Sequence, residues 1–95
     1  MIPIRKIGVI GAGIMGNGIA HVSASSGYET CLLDLNKDLL KQGFERIKGN
    51  LKRQIKKGKI KESELDLILN KINLVTDYSH LSDCDVIIEA AIERE

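Results

Sequence analysis

A glycine-rich turn between a predicted strand and a predicted helix is the feature that most restricts how this chain can fold. The strand is the apolar run Ile7 to Ile10, and the turn is Gly11-Ala12-Gly13-Ile14-Met15-Gly16, which has the form G-x-G-x-x-G. Helical spacing follows from Ile14 to Ser25. Asp34 then ends the next apolar run, close to the roughly 20 residues downstream at which this pattern places an acid. The combination predicts the first βαβ unit of a fold that binds a nicotinamide or flavin dinucleotide.

Each glycine of the turn has an expected role. Gly11 permits the tight turn, Gly13 lets a diphosphate approach the backbone, and Gly16 lets the helix pack against the strand. The amide groups at the helix N-terminus then bind the phosphates. The alternative is an ordinary glycine-rich turn, but the strand, helix and acid around the motif favour cofactor binding. A P-loop is excluded, because no G-K-[ST] follows.

Asp34 is expected to accept hydrogen bonds from the hydroxyl groups of an adenosine ribose. A carboxylate there repels a 2′-phosphate, and no arginine stands beside it, so the sequence favours NAD over NADP. The alternative is that Asp34 caps the next helix, but Asn36 is better placed for that role.

The rest of the chain alternates between helix and strand. An apolar stripe with helical spacing predicts a long helix from Asn36 to Gly58, and Ser63-Glu64-Leu65-Asp66 resembles a capping box that opens a shorter one. The stripe consists of Leu40, Phe44, Ile47, Leu51 and Ile55, and the shorter helix carries Leu65, Ile68, Leu69 and Ile72. Strands are predicted at 4–10, 28–33, 73–75 and 85–90, and the last of these is expected to have a buried centre at 86–88. One helical turn is predicted at 77–81. We therefore expect an α/β Rossmann-type parallel sheet in the order 3-2-1-4, with a protruding helical hairpin at about 36–72.

Composition places the chain among globular proteins with an aliphatic core. It is 43% hydrophobic and 28% charged, with only 3% aromatic residues and a net charge of +1. Neither membrane nor nucleic acid is expected as a partner on these grounds. Cys31 and Cys84 lack metal-site or disulfide-framework spacing, so no metal is predicted and both are expected to be buried thiols. No signal-peptide layout is present, and the predicted location is cytoplasmic.

A basic segment follows the long helix stripe. Between Lys48 and Lys61 there are seven basic residues and no acidic one. The segment is either a solvated helix face or a surface for an anionic partner such as a phosphate group, and nucleic acid is a weaker third possibility. Neither His21 nor His80 stands where a general base is expected.

The last predicted strand ends in Glu89-Ala90-Ala91-Ile92-Glu93. In doubly wound sheets this strand end lines the ligand crevice, where small Ala90 leaves room for the cofactor. Glu93 either accepts a ribose hydroxyl there or belongs to a charged helix start, and the residues alone do not decide between these.

These motifs together resemble the N-terminal part of L-3-hydroxyacyl-CoA dehydrogenases, including the 3-hydroxybutyryl-CoA type. The resemblance covers essentially all of the chain. It rests on the segments 7–16, Gly18-Ile19-Ala20, the Asp34 strand, Lys56-Lys57-Gly58-Lys59-Ile60 and the block 83–93.

The resemblance implies a role for several residues. The turn Gly11, Ala12, Gly13, Ile14, Met15 and Gly16 would bind the diphosphate of NAD, and Asp34 its adenosine ribose. Ala90 and Glu93 would contact the nicotinamide half. Asn50, where relatives often carry Ser, and Lys57 would contact the CoA part of an acyl-CoA substrate.

The activity implied is oxidation of an L-3-hydroxyacyl-CoA to the 3-ketoacyl-CoA, as in β-oxidation of fatty acids and butanoate metabolism. Residues 1–95 would then be the N-terminal part of the NAD-binding domain. The family's catalytic histidine, the remaining strands and a dimerising helical domain would lie beyond Glu95, so no catalytic residue is assigned and the chain alone is expected to be inactive. Alternatives are the cofactor domain of another hydroxy-acid dehydrogenase, a non-catalytic or redox-sensing NAD-binding module, and a nucleic-acid-binding module.

Overall fold

A four-stranded parallel sheet forms the centre of the computed structural model, which describes residues 3–90. The strands lie in the order β3-β2-β1-β4, as predicted. In chain order the elements are β1 (Lys6–Ile10), α1 (Ile14–Ser25), β2 (Glu29–Leu33), α2 (Lys37–Lys56), α3 (Ser63–Leu69), β3 (Ile72–Val75), a short 3-10 helix (Tyr78–Leu81) and β4 (Val86–Glu89). None of the helices in the described range is long and apolar enough to cross a membrane.

Strand β1 is central because it pairs on both sides. Gly8 is opposite Cys31 of β2 and Ile87 of β4, and both pairings are parallel. The carboxyl ends of the strands therefore lie along one edge of the sheet. The glycine-rich turn leaves β1 at that edge, which is where ligands bind in folds of this kind.

Two apolar clusters cover the two faces of the sheet. The larger joins Val9 and Leu32 of the sheet to small residues of α1 and to Ile47 and Leu51 of α2. The smaller joins Cys31 and Leu33 to Leu81 of the 3-10 helix. Since α1 and α2 share the larger cluster, α2 is fixed against the helix that follows the glycine turn.

Helix α1 packs through its small residues, and its large ones face outward. Ala20 and Ala24 are buried, whereas the exposed fractions of Ile14 and Val22 are 76% and 65%. Small side chains let the helix axis approach the sheet closely, and the large side chains Ile14, Met15 and Val22 lie beside Ile88 of β4. There they line an apolar groove of about 540 Å³.

Strand β4 is less buried than the sequence predicts. Ile87, placed in a buried centre, is 51% exposed. Within residues 3–90, β4 is an edge strand that pairs with β1 alone. An apolar run of this kind indicates a fully covered strand only when neighbours lie on both of its sides.

Both helices predicted after β2 are present, but the second helix begins differently from the prediction. Asn36 caps α2 as predicted, accepting hydrogen bonds from the amides of Asp38 and Leu39. Gly58 follows α2 with a φ of +75°. The capping box at 63–66 is wrong: Ser63 is already helical, and the amide of Lys61 donates to Glu64 Oε1 at 2.8 Å instead. Ile72, assigned to the face of this helix, begins β3.

Candidate functional site

The glycine turn has the geometry that its sequence predicts. Gly11 has a φ of +103°, a conformation that side chains disfavour, and it connects β1 to α1. A Cβ on Gly16 would lie 1.6 Å from the carbonyl oxygen of Gly11. Helix α1 can therefore begin this close to the strand only because position 16 has no side chain.

Gly13 leaves the end of α1 open. Apart from Gly13 itself and its two chain neighbours, no described heavy atom lies within 4 Å of the position that a Cβ on Gly13 would take. Gly13 is the N-cap of α1, and within residues 3–90 no side chain caps this end and no acid stands in its first turn. An uncapped helix N-terminus with open space before it suits a phosphate group.

Asp34 is held against this turn by two backbone hydrogen bonds. Its Oδ2 accepts from the amide of Ala12 at 2.9 Å, and its Oδ1 accepts from the amide of Asn36 at 2.9 Å. Because a carboxylate oxygen has a second lone pair, each can accept a further bond from a ligand hydroxyl. Asp34 therefore keeps acceptor positions for the hydroxyl groups of a ribose, as its predicted role requires.

A cavity of about 180 Å³ lies beside Asp34. Its lining residues are Ile10, Gly11, Leu33, Asp34, Leu35 and Tyr78. Asp34 is the one charged residue among them, so the cavity suits a neutral ribose and base and disfavours a 2′-phosphate. The sequence did not reveal Tyr78, because its place in a predicted helical turn gave no sign that it would line a cavity with residues of β1.

The open turn, the uncapped helix and the half-buried acid together fit NAD. Ala90 completes this edge: its amide donates to the Ile10 carbonyl at 2.7 Å, and its methyl group lies 3.7 Å from where a Gly16 Cβ would be. A larger residue at position 90 would narrow the space near the start of α1. Glu93 lies outside the described residues, so its contact with the nicotinamide half stays a prediction.

Asn50 and Lys57, the two predicted substrate-binding residues, line one cleft. Its volume is about 280 Å³, and its lining residues are His21, Asn50, Arg53, Gln54, Lys57 and Lys59. Arg53 donates a hydrogen bond to Asn50 Oδ1. The helical spacing of 50, 53, 54 and 57 could have revealed this face from sequence. His21 joins it from α1, and burial lowers the pKa of this histidine.

The basic segment does not form one surface. Lys48 Nζ lies 3.9 Å from Glu45 Oε2 and 6.0 Å from the centre of the Phe44 ring. Lys52 and Lys56 line a second groove, which shares only Arg53 with the polar cleft. Only part of the segment, Arg53, Lys57 and Lys59, lines the polar cleft, so an anion would be bound there rather than along the whole helix.

Lys6 and Cys84 lie away from this edge, near the amino ends of β1 and β4. Burial raises the pKa of Cys84 to about 11, and this thiol is half-buried rather than buried as expected. Lys6 pairs with Asp83 at 3.0 Å. Within residues 3–90 no group of His, Cys, Asp and Glu could hold a metal ion. His80 is exposed on the 3-10 helix.

Comparison with known proteins identifies similar chains. Residues 6–95 match the family described as "3-hydroxyacyl-CoA dehydrogenase, NAD binding domain". The chain is 47% identical over 92 residues to a 3-hydroxybutyryl-CoA dehydrogenase of Bradyrhizobium diazoefficiens, covering 97% of this chain and 31% of that protein. It is 41% identical over 92 residues to one of Mycobacterium tuberculosis, covering 97% of this chain and 32% of that protein.

A solved structure is also similar. The crystal structure of (S)-3-hydroxybutyryl-CoA dehydrogenase from Ralstonia eutropha superimposes with a TM-score of 0.93 at 36% identity, covering 98% of this chain and 33% of that one. The chain thus spans about a third of the length of the curated relatives it matches.

Proposed function

Because this chain belongs to the 3-hydroxyacyl-CoA dehydrogenase family, whose NAD-binding domain it matches over residues 6–95, we propose that it places NAD for the oxidation of an L-3-hydroxyacyl-CoA to the 3-ketoacyl-CoA. The observation that carries the proposal is the position of Asp34, bonded to Ala12 beside the uncapped end of α1. In this arrangement the ribose and diphosphate sites adjoin, as a dinucleotide requires.

The described residues act by binding and orientation. When bound, NAD accepts the hydride that leaves C3 of the substrate, while the substrate hydroxyl loses its proton and becomes the ketone oxygen. The amides at the start of α1 bind the diphosphate, and Asp34 fixes the ribose. Fixing the cofactor at two points holds its reactive ring in one place, which lowers the entropic cost of reaching the transition state.

No described residue is assigned to remove the hydroxyl proton. His21 lies in the cationic cleft, and His80 is exposed on the 3-10 helix. In this proposal the base is the histidine of a His-x-x-Asn-Pro segment in the full-length protein, and residues 1–95 are the N-terminal part of its NAD-binding domain.

The substrate's CoA part is proposed to bind at the cleft of Asn50 and Lys57. Its lining carries three permanent positive charges, from Arg53, Lys57 and Lys59. Phosphate groups are the anionic part of CoA, and cationic side chains with amide donors suit them. The cleft therefore supports a CoA thioester over a small free hydroxy acid, which would need no such surface.

The experiment is a turnover assay of the full-length protein with acetoacetyl-CoA and a reduced nicotinamide cofactor. The proposal predicts consumption of NADH, with kcat/KM for NADH at least about tenfold above that for NADPH. Absence of turnover with either cofactor would contradict the proposed reaction. Equal kcat/KM values for NADH and NADPH would contradict only the role assigned to Asp34 and would leave the proposed reaction standing.

Cytoplasmic location and assembly as a homodimer complete the proposal. The two free cysteines, Cys31 and Cys84, suit a reducing compartment. Sedimentation of the full-length protein tests the dimer, and a monomer at micromolar concentration would contradict it.

A further inference from the structure

His21 is the one residue of α1 that lines the cleft of Asn50 and Lys57, whose charged lining residues are all cations. The other lining residues come from the last two turns of α2 and the segment directly after it. The histidine is half-buried, whereas Lys57 and Lys59 are exposed at the rim. Of these three side chains the imidazole is the least exposed, which is the burial expected of a group on the inner side of the cleft, where a bound group would contact it.

The cleft is chemically suited to an anion. Of the six described residues that line it, none is acidic. Arg53 is oriented by its hydrogen bond to Asn50 Oδ1, which leaves the amide hydrogens of Asn50 available to a ligand. The guanidinium, the two ammonium groups and the amides are donors, and a protonated imidazole adds one more.

We propose that His21 binds a phosphate group of the CoA nucleotide, donating a hydrogen bond to it from the inner side of the cleft. This inference rests on the proposed function, since it takes an acyl-CoA as the ligand. It makes His21 a substrate-binding residue with no part in the proton transfer at the reacting carbon.

Ligand binding changes the charge of the imidazole in this account. Burial lowers the pKa of His21, and the charged residues that line the cleft with it, from α2 and the following segment, are Arg53, Lys57 and Lys59. A phosphate with its negative charge favours the protonated form. Binding therefore takes up a proton, and the KM for the CoA substrate falls as the pH decreases from about 8 to about 6.

The test compares His21→Ala and His21→Gln with the wild-type full-length protein, using acetoacetyl-CoA and acetoacetyl-pantetheine. His21→Ala should raise the KM for acetoacetyl-CoA at least about tenfold, as expected for one charge-assisted hydrogen bond. The kcat should stay within about twofold, and the KM for the pantetheine thioester, which has no nucleotide phosphate, should not change. His21→Gln keeps a donor without a titrating group, so it should restore part of the affinity and remove the pH dependence.

The matched control is His80→Ala, which removes an exposed histidine outside the cleft and should leave every parameter unchanged. A second measurement does not depend on turnover: calorimetric titration of CoA and 3′-dephospho-CoA into wild type and His21→Ala. An effect of His21 that disappears with dephospho-CoA assigns the contact to the 3′-phosphate, and one that persists assigns it to the diphosphate.

Two results would overturn this inference alone. One is an active wild-type enzyme whose His21→Ala variant has an unchanged KM and CoA affinity. The other is an equal rise of the KM for both thioesters, because pantetheine cannot contact a phosphate site. A wild-type protein without turnover of acetoacetyl-CoA would instead overturn the proposed function, and this inference with it.

Discussion

The carboxylate of Asp34 accepts a hydrogen bond from the backbone amide of Ala12 at 2.9 Å, which joins the end of β2 to the glycine turn after β1. The bond crosses the edge of the sheet at which the strands end. It places an acid beside the uncapped N-terminus of α1. The two features that a dinucleotide needs, an acceptor for ribose and donors for phosphate, are thereby held at a fixed separation.

Gly16→Ala tests the packing role of the third motif glycine. The added Cβ would lie 1.6 Å from the Gly11 carbonyl oxygen, so α1 must move away from β1. We expect a loss of at least about 3 kcal/mol in the free energy of unfolding, measured by urea denaturation. Gly18→Ala is the matched control: apart from its chain neighbours and the adjacent backbone of α1, no described atom lies within 4 Å of its Cβ position. This variant should gain about 0.5–1 kcal/mol in the free energy of unfolding, because alanine is the better helix former. Equal stability of the two variants would contradict the packing argument.

Gly13→Ala separates cofactor binding from folding. The Cβ would project into space free of described atoms, and the φ of −71° suits alanine. The free energy of unfolding should fall by no more than about 1 kcal/mol. A diphosphate close to this backbone would meet the new methyl group, so we expect NAD affinity to fall at least about tenfold in calorimetry. Unchanged affinity would show that the diphosphate does not approach Gly13.

Lys57→Glu tests the cleft as the CoA site. Charge reversal inside a lining of cations should raise the KM for acetoacetyl-CoA at least about tenfold and change kcat little, as measured by steady-state kinetics of the full-length protein. Lys61→Glu makes the same change on an exposed residue outside the cleft lining. A similar KM for acetoacetyl-CoA in both variants would contradict a CoA site at this cleft. The basic segment would then be interpreted as a solvated helix face.

Acid should weaken the attachment of β4 to β1. Asp85 Oδ2 accepts from the amides of Arg5 and Lys6 at 2.8 and 3.0 Å, and these bonds lower the pKa of Asp85. Since a lowered carboxyl pKa stabilises the folded state only above the pKa of the unfolded chain, this contribution is lost as the pH falls through the folded value. The denaturation midpoint should decrease between about pH 5 and about pH 2. Asp85→Asn should show a smaller decrease, and an identical pH profile would contradict the assignment.

Much of the site could be predicted from the sequence because its residues act locally. The positive φ of Gly11, the cap at Asn36 and the place of Asp34 at the end of β2 each depend on neighbours a few residues away. Patterns of this kind are set by backbone sterics and local hydrogen bonds. The strand order followed from the Rossmann-type fold that these elements indicate.

What the sequence did not reveal depends on tertiary contacts. His21 and Tyr78 reach their cavities from elements remote in the chain, and no spacing indicates such a meeting. The exposed fraction of Ile87 depends on which strands lie beside β4, which an apolar run cannot specify. The wrong capping box had a different cause, because Glu64 bonds to the amide of Lys61 and starts the helix without Ser63 as its cap.

Calorimetric titration of NAD into wild type and Asp34→Ala tests the central claim most directly. The account predicts a loss of about tenfold to hundredfold in NAD affinity, since the variant lacks the acceptor for the ribose hydroxyls. Asp38→Ala removes an equal charge from the exposed first turn of α2 and should bind NAD as wild type does. Equal NAD affinity in wild type and Asp34→Ala would contradict the claim that this carboxylate holds the cofactor.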